Sequence, residues 1–173
     1  TATVADAAGV TTATTGNIAL TAVTGISGAG VLTTGAASVD ATTADAVDTA
    51  TSGNITLNVT GAGDVGLSGT NALTIGAATV TNNTANDTAT TGNVTVTSAD
   101  RVNNGTASTA LDVSFGAASG GTTNTAGTLT ITTDGAAAAA GEIFVTSGEA
   151  LTVGVLNTAD GTGQTISIVT TAG

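Results

Sequence analysis

Aliphatic and hydroxyl-bearing positions alternate along the chain, and the alternation is carried by a phrase that returns over almost the whole length. Its pattern is Thr-x-Thr-x-Gly-x-aliphatic-x-aliphatic. It occurs at Thr12-Thr14-Gly16-Ile18-Leu20, Thr49-Thr51-Gly53-Ile55-Leu57, Thr88-Thr90-Gly92-Val94-Val96 and Thr123-Thr125-Gly127-Leu129-Ile131, and a degraded copy reads Asp160-Thr162-Gln164-Ile166-Ile168. The aliphatic pairs begin at intervals of 37, 39, 35 and 37 residues. A repeat of that length signals a solenoid or array. With side chains alternating across a strand, Ile18, Ile55, Val94, Leu129 and Ile166 are expected to point inward as one ladder.

A second phrase lies between copies of the first: Gly35-Ala36-Ala37, Gly76-Ala77-Ala78, Gly116-Ala117-Ala118 and a variant at Gly154-Val155-Leu156. Strands led by the two phrases start at Ile55, Leu73, Val94, Leu111 and Leu129, spaced 18, 21, 17 and 18 residues apart. This rhythm predicts an all-β parallel β-helix, a β-solenoid with 18–20 residues per turn and two turns per repeat of about 37. At ~4.8 Å between strands, about nine such turns make a rod of roughly 45 Å. Gly, Asn, Asp and Ser form the corners, as in Gly61-Ala62-Gly63-Asp64. Small Ala pairs after the corner glycines let sheets approach closely. One solenoid domain over 1–173 is expected, in units 12–48, 49–87, 88–122, 123–159 and a partial 160–173, with residues 1–11 as a partial turn or lead-in.

Helix is a poor alternative, because no apolar set holds a 3.6-residue period and Gly interrupts every few positions. Ala136 to Ala140 is the exception, readable as a helical turn or as an apolar corner.

Composition narrows the class. Thr, Ala and Gly make up more than half of the chain, only 8% of residues are charged, and Lys, His, Cys, Met, Trp, Tyr and Pro are missing. Such a chain would read as a disordered linker but for the period-two placement of its aliphatic residues. The core is therefore thin, of Ile, Val, Leu and Ala with two Phe. Net charge of −11 with a single Arg excludes nucleic acid and anionic membrane surfaces as partners, since both need basic patches. No run approaches the ~20 apolar residues of a membrane span. Lack of both Cys and Met removes oxidisable sulfur, which suits an extracellular or cell-surface protein. The start at Thr1, without Met or a signal-like stretch, reads as a processed or excised segment.

TSGNITL, GAGDVGLSG and NALTIGA resemble the degenerate strand repeats of filamentous-haemagglutinin-type exoproteins and autotransporter passenger domains, and the likeness covers roughly Thr12 to Thr170. It implies a right-handed parallel β-helix on a bacterial surface and transfers no functional residue. The Thr, Ala, Gly and Asp richness is also similar to S-layer proteins, which implies surface lattices and calcium. The functional expectation is a non-enzymatic extracellular structural subunit of a surface filament, matrix or S-layer. Alternatives are an adhesin stalk or passenger domain binding host or glycan surfaces and, more distantly, a polysaccharide-active enzyme.

Candidate chemistry is sparse. Without His, Cys, Lys or Tyr only carboxylates and Arg101 remain, and no catalytic residue or cofactor-binding residue is assigned. Asp64-Val65, Arg101-Val102 and Glu142-Ile143 fall at equivalent places, which predicts a charge ladder of alternating sign. Asp40, Asp45 and Asp48 cluster, with Asp87 equivalent to Asp48, and are the candidate calcium ligands because hard cations gather several oxygens; no Gly-Gly-x-Gly-x-Asp calcium motif is present. Sequons stand at Asn54, Asn58, Asn82, Asn86, Asn93 and Asn104, of which Asn54 and Asn93 belong to the repeat phrase and are the candidate glycosylation sites. The pairs Thr12-Thr14, Thr49-Thr51, Thr88-Thr90 and Thr123-Thr125 form a ladder of the kind that suits an ice-binding surface. Two turns per unit would put a pair on every second turn only, too sparse for an array. Neither end carries a capping element, so an end-to-end homopolymer is expected, with no nucleic acid and no membrane insertion.

Overall fold

A computed structural model describes residues 1–5, 10–40, 47–81, 86–103, 110–134, 141–159 and 164–171. Among them the chain is all β, with strands laid in rungs. The first rung holds β1 (Ala2–Ala5), β2 (Thr12–Thr14), β3 (Ile18–Ala22), β4 (Ile26–Ala29) and β5 (Leu32–Thr33). The second repeats it as β6 (Ala37–Asp40), β7 (Thr49–Thr51), β8 (Ile55–Val59), β9 (Val65–Ser68) and β10 (Leu73–Ile75). In the third are β11 (Ala78–Thr81), β12 (Thr88–Thr90), β13 (Val94–Ser98) and β14 (Leu111–Phe115), with Val102 bridging to Val65 where a further strand would lie. β15 (Ala118–Ser119), β16 (Thr123–Thr125), β17 (Leu129–Asp134) and β18 (Ile143–Ser147) form the fourth, and β19 (Val153–Ala159) with β20 (Ile166–Thr170) forms a partial fifth.

Every pairing between these strands is parallel, as the stacked solenoid requires. The faces run β1-β6-β11-β15, β2-β7-β12-β16, β3-β8-β13-β17-β19, β5-β10-β14-β18-β20 and the short pair β4-β9. Ile18 lies beside Ile55, Ile55 beside Val94 and Val94 beside Leu129, so like stacks on like.

These registers correct the expected turn length. Ala37 pairs with Ala78, Ile55 with Val94 and Leu111 with Val145, so one turn takes the whole repeat, 34 to 41 residues, and no turn of 18–20 exists among the described strands. The two phrases occupy different faces of the same turn. About three full turns and a shorter last one replace the expected nine, a stack of roughly 20 Å at ~4.8 Å per step.

Within the turn the core has two compartments. Ile55, Leu57, Val65, Leu73, Val94, Val96, Leu111, Leu129, Ile131 and Ile143, all fully buried, fill the wide one. Between the two other faces, Ala13, Ala50 and Ala89 meet Ala37, Ala78, Val39 and Val80 in a narrow one. Only small side chains fit there, so the Ala phrase and the Ala of each Thr-Ala-Thr strand are two halves of one packing solution. Glycine columns turn the corners. A Cβ on Gly53, Gly92 or Gly127 would overlap the carbonyl oxygen of the glycine one rung before it.

The expected ladder also needs correction at its last member. Ile166 stacks on Ile143, and the fifth rung beside Leu129 is Val153. The segment 148–152 returns from β18 directly to the face of β17, so the last turn omits the Ala and Thr faces. Gly154-Val155-Leu156, expected as a copy of the Ala phrase, lies in β19 instead, where the register slips between Leu129 and Thr130. Gly154 is the extra residue of this bulge, a position Gly tolerates well. Ala136 to Ala140, Asp45, Asn82, Asn104, Asp160 and Thr162 lie outside the described residues.

Candidate functional site

Since equal positions stack, every polar residue retained in the repeat becomes a column along the solenoid. The amide column is the most regular. Asn54 N–H donates to Asn17 Oδ1 (2.8 Å), Asn93 N–H to Asn54 Oδ1 (2.7 Å) and Thr128 N–H to Asn93 Oδ1 (2.8 Å). Beside it, hydroxyls hold the corner glycines. Gly53 N–H donates to Thr15 Oγ1, Gly92 N–H to Ser52 Oγ and Gly127 N–H to Thr91 Oγ1. Each such bond is worth about 1 kcal/mol net and satisfies the N–H of its glycine. Asn54 and Asn93, the expected glycan acceptors, thus each accept an inter-rung bond at Oδ1, and Asn54 Nδ2 lies 3.4 Å from Asn17 Oδ1. Both columns are legible as Thr15-Gly16-Asn17, Ser52-Gly53-Asn54 and Thr91-Gly92-Asn93, a hydroxyl-Gly-Asn triplet at the repeat spacing.

Asp48 and Asp87 form an internal column. Both are buried; Thr11 N–H donates to Asp48 Oδ1 (2.7 Å), and Asp48 N–H donates to Asp87 Oδ1 (2.9 Å). Their equivalence is as expected. Asp40 instead ends β6 at the surface, where Thr81 Oγ1 donates to its Oδ1. Among the described residues no three acidic side chains come together as a metal site.

The charge ladder stacks in the expected order, through the bridges Val65 to Val102 and Val102 to Ile143. Arg101 Nε lies 3.1 Å from Asp64 Oδ2, a half-exposed ion pair worth about 0.2–1 kcal/mol. Asp100 joins this corner. Partial burial first, and then the Asp64 carboxylate, hold the Asp100 carboxyl above the ordinary aspartate range, against the opposing pull of Arg101. A raised pKa in the folded state means the folded protein holds the proton more tightly than the unfolded chain. This group therefore adds stability below the ordinary aspartate value of ~3.9, and the contribution disappears as pH rises through the raised value. Asp100→Asn is expected to raise the melting temperature slightly at pH 7, the effect being kept small by solvent screening of this partly exposed group, and to leave it unchanged at pH 3. Thermal melts followed by circular dichroism at both pH values test this.

A depression of about 440 Å³ opens where the last turn skips two faces, lined by Phe115, Ala118, Ala126, Gly127 and Thr152 with Glu149 at its edge. Ser114 Oγ donates to Glu149 Oε1 at 3.3 Å. Arg101 is not among its lining residues, so the one basic side chain of the chain and this depression belong to separate places. No helix among the described residues is long and apolar enough to cross a membrane.

Comparison of the chain with protein-family models, with curated proteins and with solved structures returns no match.

Proposed function

We propose that the protein is an extracellular structural solenoid, a subunit of a surface filament, matrix or lattice, that associates through the two ends of its stack. The supporting observation is that inward-facing positions which are sealed in the middle rungs are open at both ends. Leu57 is 0% exposed and its first-rung equivalent Leu20 is 38% exposed; Ile143 is 0% exposed and its last-rung equivalent Ile166 is 45% exposed. Val23 and Val31 in the first rung and Val153 in the last are exposed as well. Each end also presents strands with one free edge, β3 at one and β19 and β20 at the other. Parallel strands give the two edges complementary polarity, so a second copy stacked head to tail continues the β3 and β5 ladders onto β19 and β20 and the aliphatic columns between them. Low charge, missing sulfur and the likeness to surface exoprotein repeats support the extracellular setting.

Light scattering and electron microscopy of the purified protein at neutral pH test this reading. Concentration-dependent growth into rods is expected, and Leu20→Asp, which places a carboxylate on the open end, should suppress it. A monodisperse monomer across the concentration range would refute end-to-end association.

A further inference from the structure

The turn length reopens a function that the sequence spacing argued against. Because each turn takes the whole repeat, a Thr-x-Thr pair falls on every rung instead of every second one. Thr12, Thr49, Thr88 and Thr123 stand side by side in one row, and Thr14, Thr51, Thr90 and Thr125 in a second. The rows lie two residues apart along the strands, ~6.6 Å, and the rungs ~4.8 Å apart, so the eight side chains make a rectangular grid.

Three observations separate this face from a merely hydrophilic one. Ala13, Ala50 and Ala89 between the paired threonines are buried, which turns both members of each of those pairs outward. None of the eight Thr hydroxyls is engaged by another described group, whereas the hydroxyls of Thr15, Ser52 and Thr91 at the adjoining corner are all spent on glycine N–H groups. The four strands carry no charged residue, in a chain whose net charge is −11.

From these we infer that the Thr face binds the surface of ice. Its two spacings are close to the oxygen repeats on the faces of hexagonal ice. Each Thr offers a hydroxyl that can replace one lattice water and a methyl that sits between neighbouring ones. Backbone ladders fix the grid in advance, so little ordering is needed on contact. An uncharged grid also carries no ion hydration shell that the lattice would have to displace. The grid lies on the side of the stack, so it does not depend on association through the ends.

Ice-affinity partitioning and ice-recrystallisation assays with the purified protein test the assignment. The unaltered protein is expected to enter growing polycrystalline ice and to slow the coarsening of ice grains. Thr51→Lys, which places a long charged side chain at the centre of the grid, should abolish both effects. Thr97→Lys, on the neighbouring face formed by β3, β8, β13, β17 and β19, should leave them intact. Thr90→Tyr provides a second disruption with a strand-favouring residue if Thr51→Lys lowers the melting temperature. Exclusion of the unaltered protein from ice overturns the inference, as does ice binding that survives both Thr-face substitutions or is lost equally in Thr97→Lys.

Discussion

Gly92→Ala is expected to destabilise the protein by more than about 3 kcal/mol, while Gly16→Ala at the same place in the repeat phrase changes stability by less than about 1 kcal/mol. The added methyl is identical, and only the neighbouring rung differs. At Gly92 the new Cβ would overlap the carbonyl oxygen and carbon of Gly53 and press on Asn54 N, all backbone atoms held in place by the ladder between β8 and β13. Relief requires the two rungs to part at the corner. That would also weaken the bond from Gly92 N–H to Ser52 Oγ and the one from Asn93 N–H to Asn54 Oδ1. Gly16 is in the first rung, and nothing lies within 4 Å of a Cβ built there. Neither glycine adopts a left-handed backbone, so the contrast isolates close approach from conformational freedom. Urea unfolding of the two variants against the parent measures it, and equal effects would mean that the corners do not stack as described.

Leu57→Ala is expected to lower stability by about 2–5 kcal/mol, and Leu20→Ala by less than about 1 kcal/mol. Leu57 is sealed by Leu20 on one side and Val96 on the other and belongs to the main aliphatic cluster. Truncating it opens a cavity between rungs that are pinned by backbone ladders on several faces, so the site can relax little. Leu20 has a neighbour on one side only and already touches solvent, so truncation removes little buried area. In a stacked repeat each rung depends chiefly on its neighbours, and Leu57→Ala should therefore loosen the first rungs before the others. Hydrogen exchange of the Ile18 to Ala22 and Ile55 to Val59 amides would locate the loss. Faster exchange at Leu129 to Ile131 than at Ile55 would contradict the nearest-neighbour description.

The repeat phrase determined which residues are equivalent, and the structure retains those equivalences through the first four rungs but not in the last. Ile18, Ile55, Val94 and Leu129 share a column, Asp48 lies over Asp87, and Asp64, Arg101 and Glu142 follow one another along one corner. Such positions are legible because stacking like on like imposes a constant spacing, and period-two alternation then fixes which side faces in. Strand type, β class and the inward aliphatic set follow from those two regularities alone.

What the sequence could not decide is which phrase lies over which. Both phrases contain a Gly, both lie beside short aliphatic strands, and they alternate every 18 or so residues, so local pattern fits a short turn as well as a long one. The interior chooses between them. A turn of 34 to 41 residues brings the Ala of the Thr strands against the Ala phrase in a narrow compartment and leaves Ile, Leu and Val to fill a wide one. It also sets Asn on Asn and hydroxyl against glycine N–H, which a half-length turn would separate. Volume and hydrogen-bond closure across the whole cross-section are properties of several faces at once, and no single stretch of chain carries them. The same holds for Ile166. Its spacing from Leu129 matches the repeat, yet the last turn omits two faces through 148–152, and Ile166 is carried onto Ile143.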